Sequence, residues 1–126
     1  MVMALKKETW MLVGLVAITL AVFLYFKVME DYKPGAYDDF AKCLNQKDAV
    51  MYGAYWCGHC KDQKKMFGNS FKYIDYVECT EMEETCDKEG IGGYPTWKFA
   101  DNVTKEGVLE LMELSELTGC GLKKNG

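Results

Sequence analysis

The sequence predicts an α/β fold, a central mixed sheet flanked by helices, carried behind a single N-terminal transmembrane helix. Three observations lead there. An 18-residue block, "TWMLVGLVAITLAVFLYF" (residues 9–26), holds no charge. Beyond it, helical and strand periodicities alternate through the rest of the 126 residues. Within that alternation a short apolar run, "AVMYGAY" (residues 49–55), leads straight into two cysteines spaced three apart and then into helix-forming residues.

Each element follows from its own residues. At about 1.5 Å per residue the uncharged block forms a helix roughly 27 Å long, close to the hydrocarbon thickness of a bilayer. A secretory signal has a shorter apolar region and a small-x-small cleavage site. "KVMEDYKPGAY" offers no such site, so residues 9–26 are expected to remain as an anchor. Trp10 and Tyr25 fall near its two ends, where amphipathic rings settle. Lys6 and Lys7 favour a cytoplasmic segment 1–8, but Lys27 and Lys33 follow on the other side, so charge alone does not set the orientation. Residues 27–35 are a polar linker, 36–122 the folded domain and 123–126 a tail. In the domain Tyr37, Phe40, Ala41 and Leu44 follow the i, i+3, i+4, i+7 spacing of an amphipathic helix ending near Gln46. The run 49–55 is too short for a typical helix and suits a strand buried on both faces. "KDQKKMF" is helix material closed by Gly68 and Asn69. "YIDYVEC" (73–79) is a second strand, and a charged helical stretch over 82–89 stops at Gly90. "PTWKFADNVTKEGV" reads as a hairpin turning at Asp101 and Asn102. Leu111, Leu114 and Leu117 line a last helix that Gly119 ends. Right-handed crossovers then place helices on both faces of the sheet.

Composition narrows the function classes. The stretch 30–126 has 12 lysines against 18 acidic residues, a formal charge of −6, and the chain has no arginine. No basic stripe is present to neutralise phosphates, which argues against a nucleic-acid partner. The six cysteines are Cys43, Cys57, Cys60, Cys79, Cys86 and Cys120. An even count behind a membrane segment fits an oxidising compartment. The domain is therefore expected on the extracytoplasmic side of a cytoplasmic membrane, in the periplasm; a cell surface or an organelle lumen satisfies the same argument.

The pair in "GAYWCGHCKDQ" carries the chemistry. A cysteine where a helix begins meets unpaired backbone N–H groups and the positive end of the helix dipole, and both favour thiolate. Cys60 lies one turn on, within reach of Cys57. That arrangement suits thiol–disulfide exchange, with Cys57 as the exposed nucleophile and Cys60 as the resolving thiol. His59 adds a group able to carry positive charge beside the pair, and Gly58 leaves Cys57 open to a partner. Lys61 is an ordinary solvated helix residue or a nearby cation. A zinc site normally takes four ligands, and here there is one Cys-x-x-Cys and a single histidine. A purely structural 57–60 bridge would close a tiny loop and constrain little of the unfolded chain.

"WCGHC" (56–60) followed by "GYPTW" (93–97) resembles the thioredoxin superfamily. The resemblance implies a cis Pro95 facing the cysteine pair, with Tyr94, Thr96 and Trp56 forming the edge where a client chain docks. "AVMYGAYWCGHCKDQKKMFG", "YVEC" and "GYPTW" narrow it to the thioredoxin-like domain fused to bacterial homologues of vitamin K epoxide reductase, over about residues 36–120. Such domains hang from a transmembrane helix, oxidise secreted proteins and pass the electrons to a membrane part that reduces a quinone. This sequence has the tether and the redox domain, so the resemblance implies that the membrane quinone reductase of that type is either a separate partner or absent. It also implies a structural bridge between Cys79 and Cys86, worth on the order of 2 kcal/mol in loop entropy. Two departures bear on mechanism. Thioredoxin has a buried aspartate six residues before its first active cysteine, and protein disulfide isomerase a glutamate; here the position is Met51, which weakens support for fast reductase turnover. The dipeptide between the cysteines is Gly-His, as in protein disulfide isomerase, and points to an oxidising or intermediate potential.

The remaining features stay open or bland. Helices carrying Cys43 and Cys120 lie on opposite faces in a thioredoxin-like topology, so a 43–120 bond would need the tail to wrap around; otherwise Cys43 is a small buried hydrophobe. Asn102 to Thr104 form a short glycosylation sequon, inert in a bacterial source. Met66 and Phe67 are expected in the core, while Trp97 serves either core or rim. The sequence thus predicts a membrane-tethered enzyme that forms or exchanges disulfides in reduced or misoxidised secreted proteins and needs no cofactor beyond its own cysteines. The alternatives are a tethered reductase of the cytochrome-maturation type and a redox-inert client-binding module.

Overall fold

The computed structural model describes residues 2–126, with side chains from Lys6 onward except Asp31. Of the predicted cytoplasmic segment 1–8, Met1 lies outside the described residues. The chain divides into two units, Met1–Lys33 and Pro34–Gly126. The first holds α1 (Val2–Asp31). Its Lys6–Glu30 stretch is long and apolar enough to cross a bilayer and none of it is buried. A helix apolar on every side, with its backbone bonds closed internally, suits a hydrocarbon surrounding.

The second unit runs α2 (Asp38–Gln46), β1 (Val50–Gly53), α3 (Gly58–Phe67), a 3-10 turn (Gly68–Tyr73), β2 (Asp75–Glu78), α4 (Glu83–Lys88), β3 (Thr96–Lys98), β4 (Thr104–Glu106) and α5 (Leu111–Thr118). This is the predicted thioredoxin-like order, with strand ends trimmed. The sheet order is β2-β1-β3-β4. β1 runs parallel to β2 and antiparallel to β3, and β3 pairs antiparallel with β4. The β3–β4 hairpin turns through Asn102, whose positive φ of 58° suits asparagine.

Side-chain alternation along β1 sorts the core. Met51, opposite Trp97, packs with Phe40, Ala41 and Leu44 of α2, Cys60 and Phe67 of α3 and Leu114 of α5. Tyr52 and Val77 pack instead with Cys79 and Cys86. Trp97 is fully buried, so it belongs to the core; such a side chain contributes about 2–3 kcal/mol by burial. Phe67 is buried and Met66 half-buried, whereas Leu117, expected on the inner face of α5, is exposed. Buried Gln63 pins α3 in place: its Oε1 accepts from Trp97 Nε1 at 3.2 Å and from the Leu109 N–H at 2.8 Å, and its Nε2 donates to the Leu109 carbonyl at 3.0 Å.

The cysteines outside the pair are bonded, Cys79 to Cys86 and Cys43 to Cys120. The second bond corrects the expectation that α2 and α5 lie on opposite faces. Both contribute to the cluster around Met51 and Trp97, so the Cys43 and Cys120 Cα atoms come within 5.8 Å with no detour around the sheet. The tail then returns to the start of the domain, where the Asn125 N–H donates to the Ala36 carbonyl.

Candidate active site

The site is built where β1 gives way to α3. β1 ends at Gly53, and the chain turns through Ala54 to Trp56 before α3 opens at Gly58 with Cys57 as its N-cap. Cys57 has extended backbone (φ −75°, ψ 117°), and its Sγ accepts the Cys60 N–H at 3.1 Å. That bond takes up one of the amide donors a helix start leaves unsatisfied. Cys57 and Cys60 carry the free thiols among the described residues.

On the facing side, the Tyr94–Pro95 peptide is cis and the Tyr94 carbonyl oxygen lies 3.6 Å from Cys57 Sγ. The structure therefore brings Cys57, Cys60, Tyr94 and Pro95 together, although they come from segments 37 residues apart. Trp56, 61% exposed, meets the Tyr94 ring edge-on at 5.9 Å between centroids, and Tyr55 beside it is also exposed. These rings form an apolar rim next to the sulfurs. Two sequence expectations need correcting. Cys57 is 6% exposed rather than open, because the helix start and the Tyr94–Pro95 loop close over it. Thr96 turns inward: it is 2% exposed, and its hydroxyl donates to the Gly93 carbonyl, so its side chain offers nothing to a client. His59 and Lys61 are exposed on the outer side of α3.

Cys60 is 1% exposed, and burial pushes its thiol up to about 12; the hydrogen bond with Cys57 adds to this, while the Ala54 backbone and the Lys64 charge pull the other way. A group of residues that the sequence reading passed over surrounds it. A Cβ at Gly53 would sit 2.9 Å from Cys60 Sγ and 3.2 Å from the Tyr76 hydroxyl oxygen, so glycine here lets the sulfur and the phenol approach the strand. Tyr76 donates to Glu78 Oε2 at 2.7 Å. Glu78 Oε1 accepts from the Thr80 hydroxyl at 2.7 Å and the Tyr55 N–H at 3.1 Å. Lys64 Nζ stands 3.8 Å from the centre of the Tyr76 ring. Burial raises the Tyr76 phenol above its ordinary range, and the bond to Glu78 and nearby negative charge raise it further. Burial alone would raise Glu78, but the hydrogen bonds from Tyr76, Thr80 and Tyr55 prevail and lower it. Strand parity carried the signal: Tyr76 pairs with Met51 and Glu78 with Gly53, so both share the side of β1 that faces Cys60. Met51 itself is fully buried and brings no ionisable group there.

Comparison with known proteins agrees with this arrangement. The thioredoxin family pattern matches residues 31–117. A thiol-disulfide oxidoreductase of Arabidopsis thaliana, LTO1, is 45% identical over 91 residues, covering 65% of this chain and 24% of that protein. A probable protein disulfide-isomerase A6 of Medicago sativa is 28% identical over 99 residues, covering 71% of this chain and 27% of the relative. The matched stretch thus spans about a quarter of the length of these two relatives. The thioredoxin of Fasciola hepatica superimposes with a TM-score of 0.45 at 20% identity, covering 62% of this chain and 86% of that one. A family pattern over more than half its length, joined to a cysteine pair at a strand–helix junction beneath a cis-proline loop, means that the chain belongs to the thioredoxin family.

Proposed function

We propose that this protein is a membrane-tethered thiol–disulfide oxidoreductase that forms or exchanges disulfides in reduced or misoxidised secreted proteins. Cys57 exchanges with the client, Cys60 resolves the mixed disulfide, and Tyr94, Pro95 and Trp56 hold the client segment. His59 tunes the pair as a group able to carry charge at the helix start. The observation that carries this reading is the placement of Cys57 as the N-cap of α3, with Cys60 one turn along and the Tyr94 carbonyl 3.6 Å away. The names of the relatives from Arabidopsis thaliana and Medicago sativa support the same chemistry. α1 serves as the anchor, with the domain on the extracytoplasmic, periplasmic side, and a membrane quinone reductase of the vitamin K epoxide reductase type takes the electrons. Two intact disulfides in so small a domain favour the oxidising side.

The test is oxidation of a reduced, unfolded test protein by the oxidised full chain in detergent. Cys57→Ser is expected to abolish the activity, and Cys60→Ser, given a client that already carries a disulfide, to hold that client as a mixed disulfide on Cys57. A Cys57→Ser chain as active as wild type contradicts the reading. The state of the pair inside cells then decides direction: largely oxidised for an oxidase, largely reduced for a tethered reductase.

A further inference from the structure

We propose that Tyr76 and Glu78 form the proton path of the buried cysteine, so that the Cys60 proton leaves through the Tyr76 hydroxyl to the Glu78 carboxylate. This inference rests on the exchange reading above and adds two residues to it. In the step concerned, Cys60 attacks Cys57 of the mixed disulfide. A sulfur–sulfur bond forms between Cys60 and Cys57 while the bond from Cys57 to the client sulfur breaks. The Cys60 proton passes to the Tyr76 oxygen as the Tyr76 proton passes to Glu78. Glu78 releases its proton to solvent, and the departing client thiolate takes one up. Electrons balance within the sulfurs, and the reverse step uses the same path.

Three observations carry this. First, Cys60 is 1% exposed, so its proton cannot pass directly to bulk water. Second, the missing Cβ of Gly53 leaves one small space that both Cys60 Sγ and the Tyr76 hydroxyl border, and Tyr76 already donates to Glu78 at 2.7 Å. Third, Glu78 is only half-buried, and its other oxygen is fixed by Thr80 and Tyr55, which aims the pair. The observed bond runs from the phenol to the carboxylate, the direction in which a proton taken up by Tyr76 would leave. The ionisable groups around Cys60 are Cys57 and Lys64 from α3 and its cap and Tyr76 and Glu78 from β2; Met51, Gly53 and Trp97 of β1 and β3 supply none. Lys64, over the Tyr76 ring, favours negative charge passing through the phenol.

The experiment uses the full chain in detergent carrying a mixed disulfide between Cys57 and glutathione, and follows release of glutathione from about pH 6 to 10. Tyr76→Phe keeps the ring and its packing on Phe71, so it removes little besides the hydroxyl. It is expected to slow release about a hundredfold near neutrality, with the deficit shrinking as pH rises and the thiol ionises unaided. Glu78→Gln is expected to slow release in the same pH-dependent manner. If Tyr76→Phe releases glutathione at the wild-type rate, or is slowed equally at every pH, the path is overturned while the exchange reading stands. If oxidised glutathione forms no mixed disulfide on Cys57 even in the Cys60→Ser chain, the exchange reading falls and the path with it.

Discussion

At the scale of single residues, the two thiols of the pair live in different surroundings. Cys57 caps a helix and keeps a small accessible surface, whereas Cys60 is enclosed and its thiol is pushed up from 9.0 to about 12. A thiol whose folded value is raised contributes stability below the unfolded value and loses that contribution as pH climbs through the folded one. We expect this to be visible in a Cys57→Ala background, where the pair cannot close and the other disulfides stay intact. From about pH 9 upward that chain should lose stability relative to Cys57→Ala with Cys60→Ala, by up to about 1.4 kcal/mol per pH unit, over a window narrowed by the loss of the Cys57 contribution. Urea denaturation at a series of pH values measures it, and parallel profiles would show that burial of Cys60 imposes no such cost. The two thiols and the Tyr94–Pro95 loop were legible in the sequence because Cys-x-x-Cys and Gly-Tyr-Pro-Thr are local patterns. Tyr76 and Glu78 were not, since they reach Cys60 only through the β1–β2 register.

At the scale of elements, the junction between β1 and α3 is the part with least room. Gly53 is the contact point: an added methyl would meet Cys60 Sγ at 2.9 Å and the Tyr76 ring at 3.1 Å. Gly53→Ala should therefore cost about 1–3 kcal/mol, the range for overpacking, and slow exchange as the sulfur is displaced. Urea midpoints together with the glutathione-release rate check this, and an unchanged midpoint would contradict the close approach. Most elements were readable from periodicity, since α2, α3 and α5 have apolar faces and the hairpin carries its own turn residues. The pairing of α2 with α5 on one side of the sheet was not readable, because amphipathic spacing shows that a face is buried but not against which partner. Leu117 went wrong for a related reason: the spacing shows that a face of α5 is apolar but not how much of it the core covers, and Leu117 at 39% exposure is left outside.

At the scale of the whole molecule, the Cys43–Cys120 bond ties the C-terminal segment to the first helix of the domain across a sequence separation of 77. Loop entropy for a closure of that size is worth about 4.5 kcal/mol, against roughly 2 for Cys79–Cys86. Replacing Cys43 and Cys120 by alanine together should lower the unfolding free energy by several kcal/mol, measured by urea denaturation, while the Cys57–Cys60 pair still exchanges. Loss of exchange in a chain that remains folded would mean that the bond takes part in the chemistry. The measurement closest to the central claim is a redox titration of the full chain in glutathione buffers, with each cysteine's state read by alkylation and mass. The account predicts that Cys57 and Cys60 interconvert as a two-electron pair with a midpoint between about −270 and −120 mV, while the other two bonds stay closed. A pair that stays in one state across that whole range would contradict it.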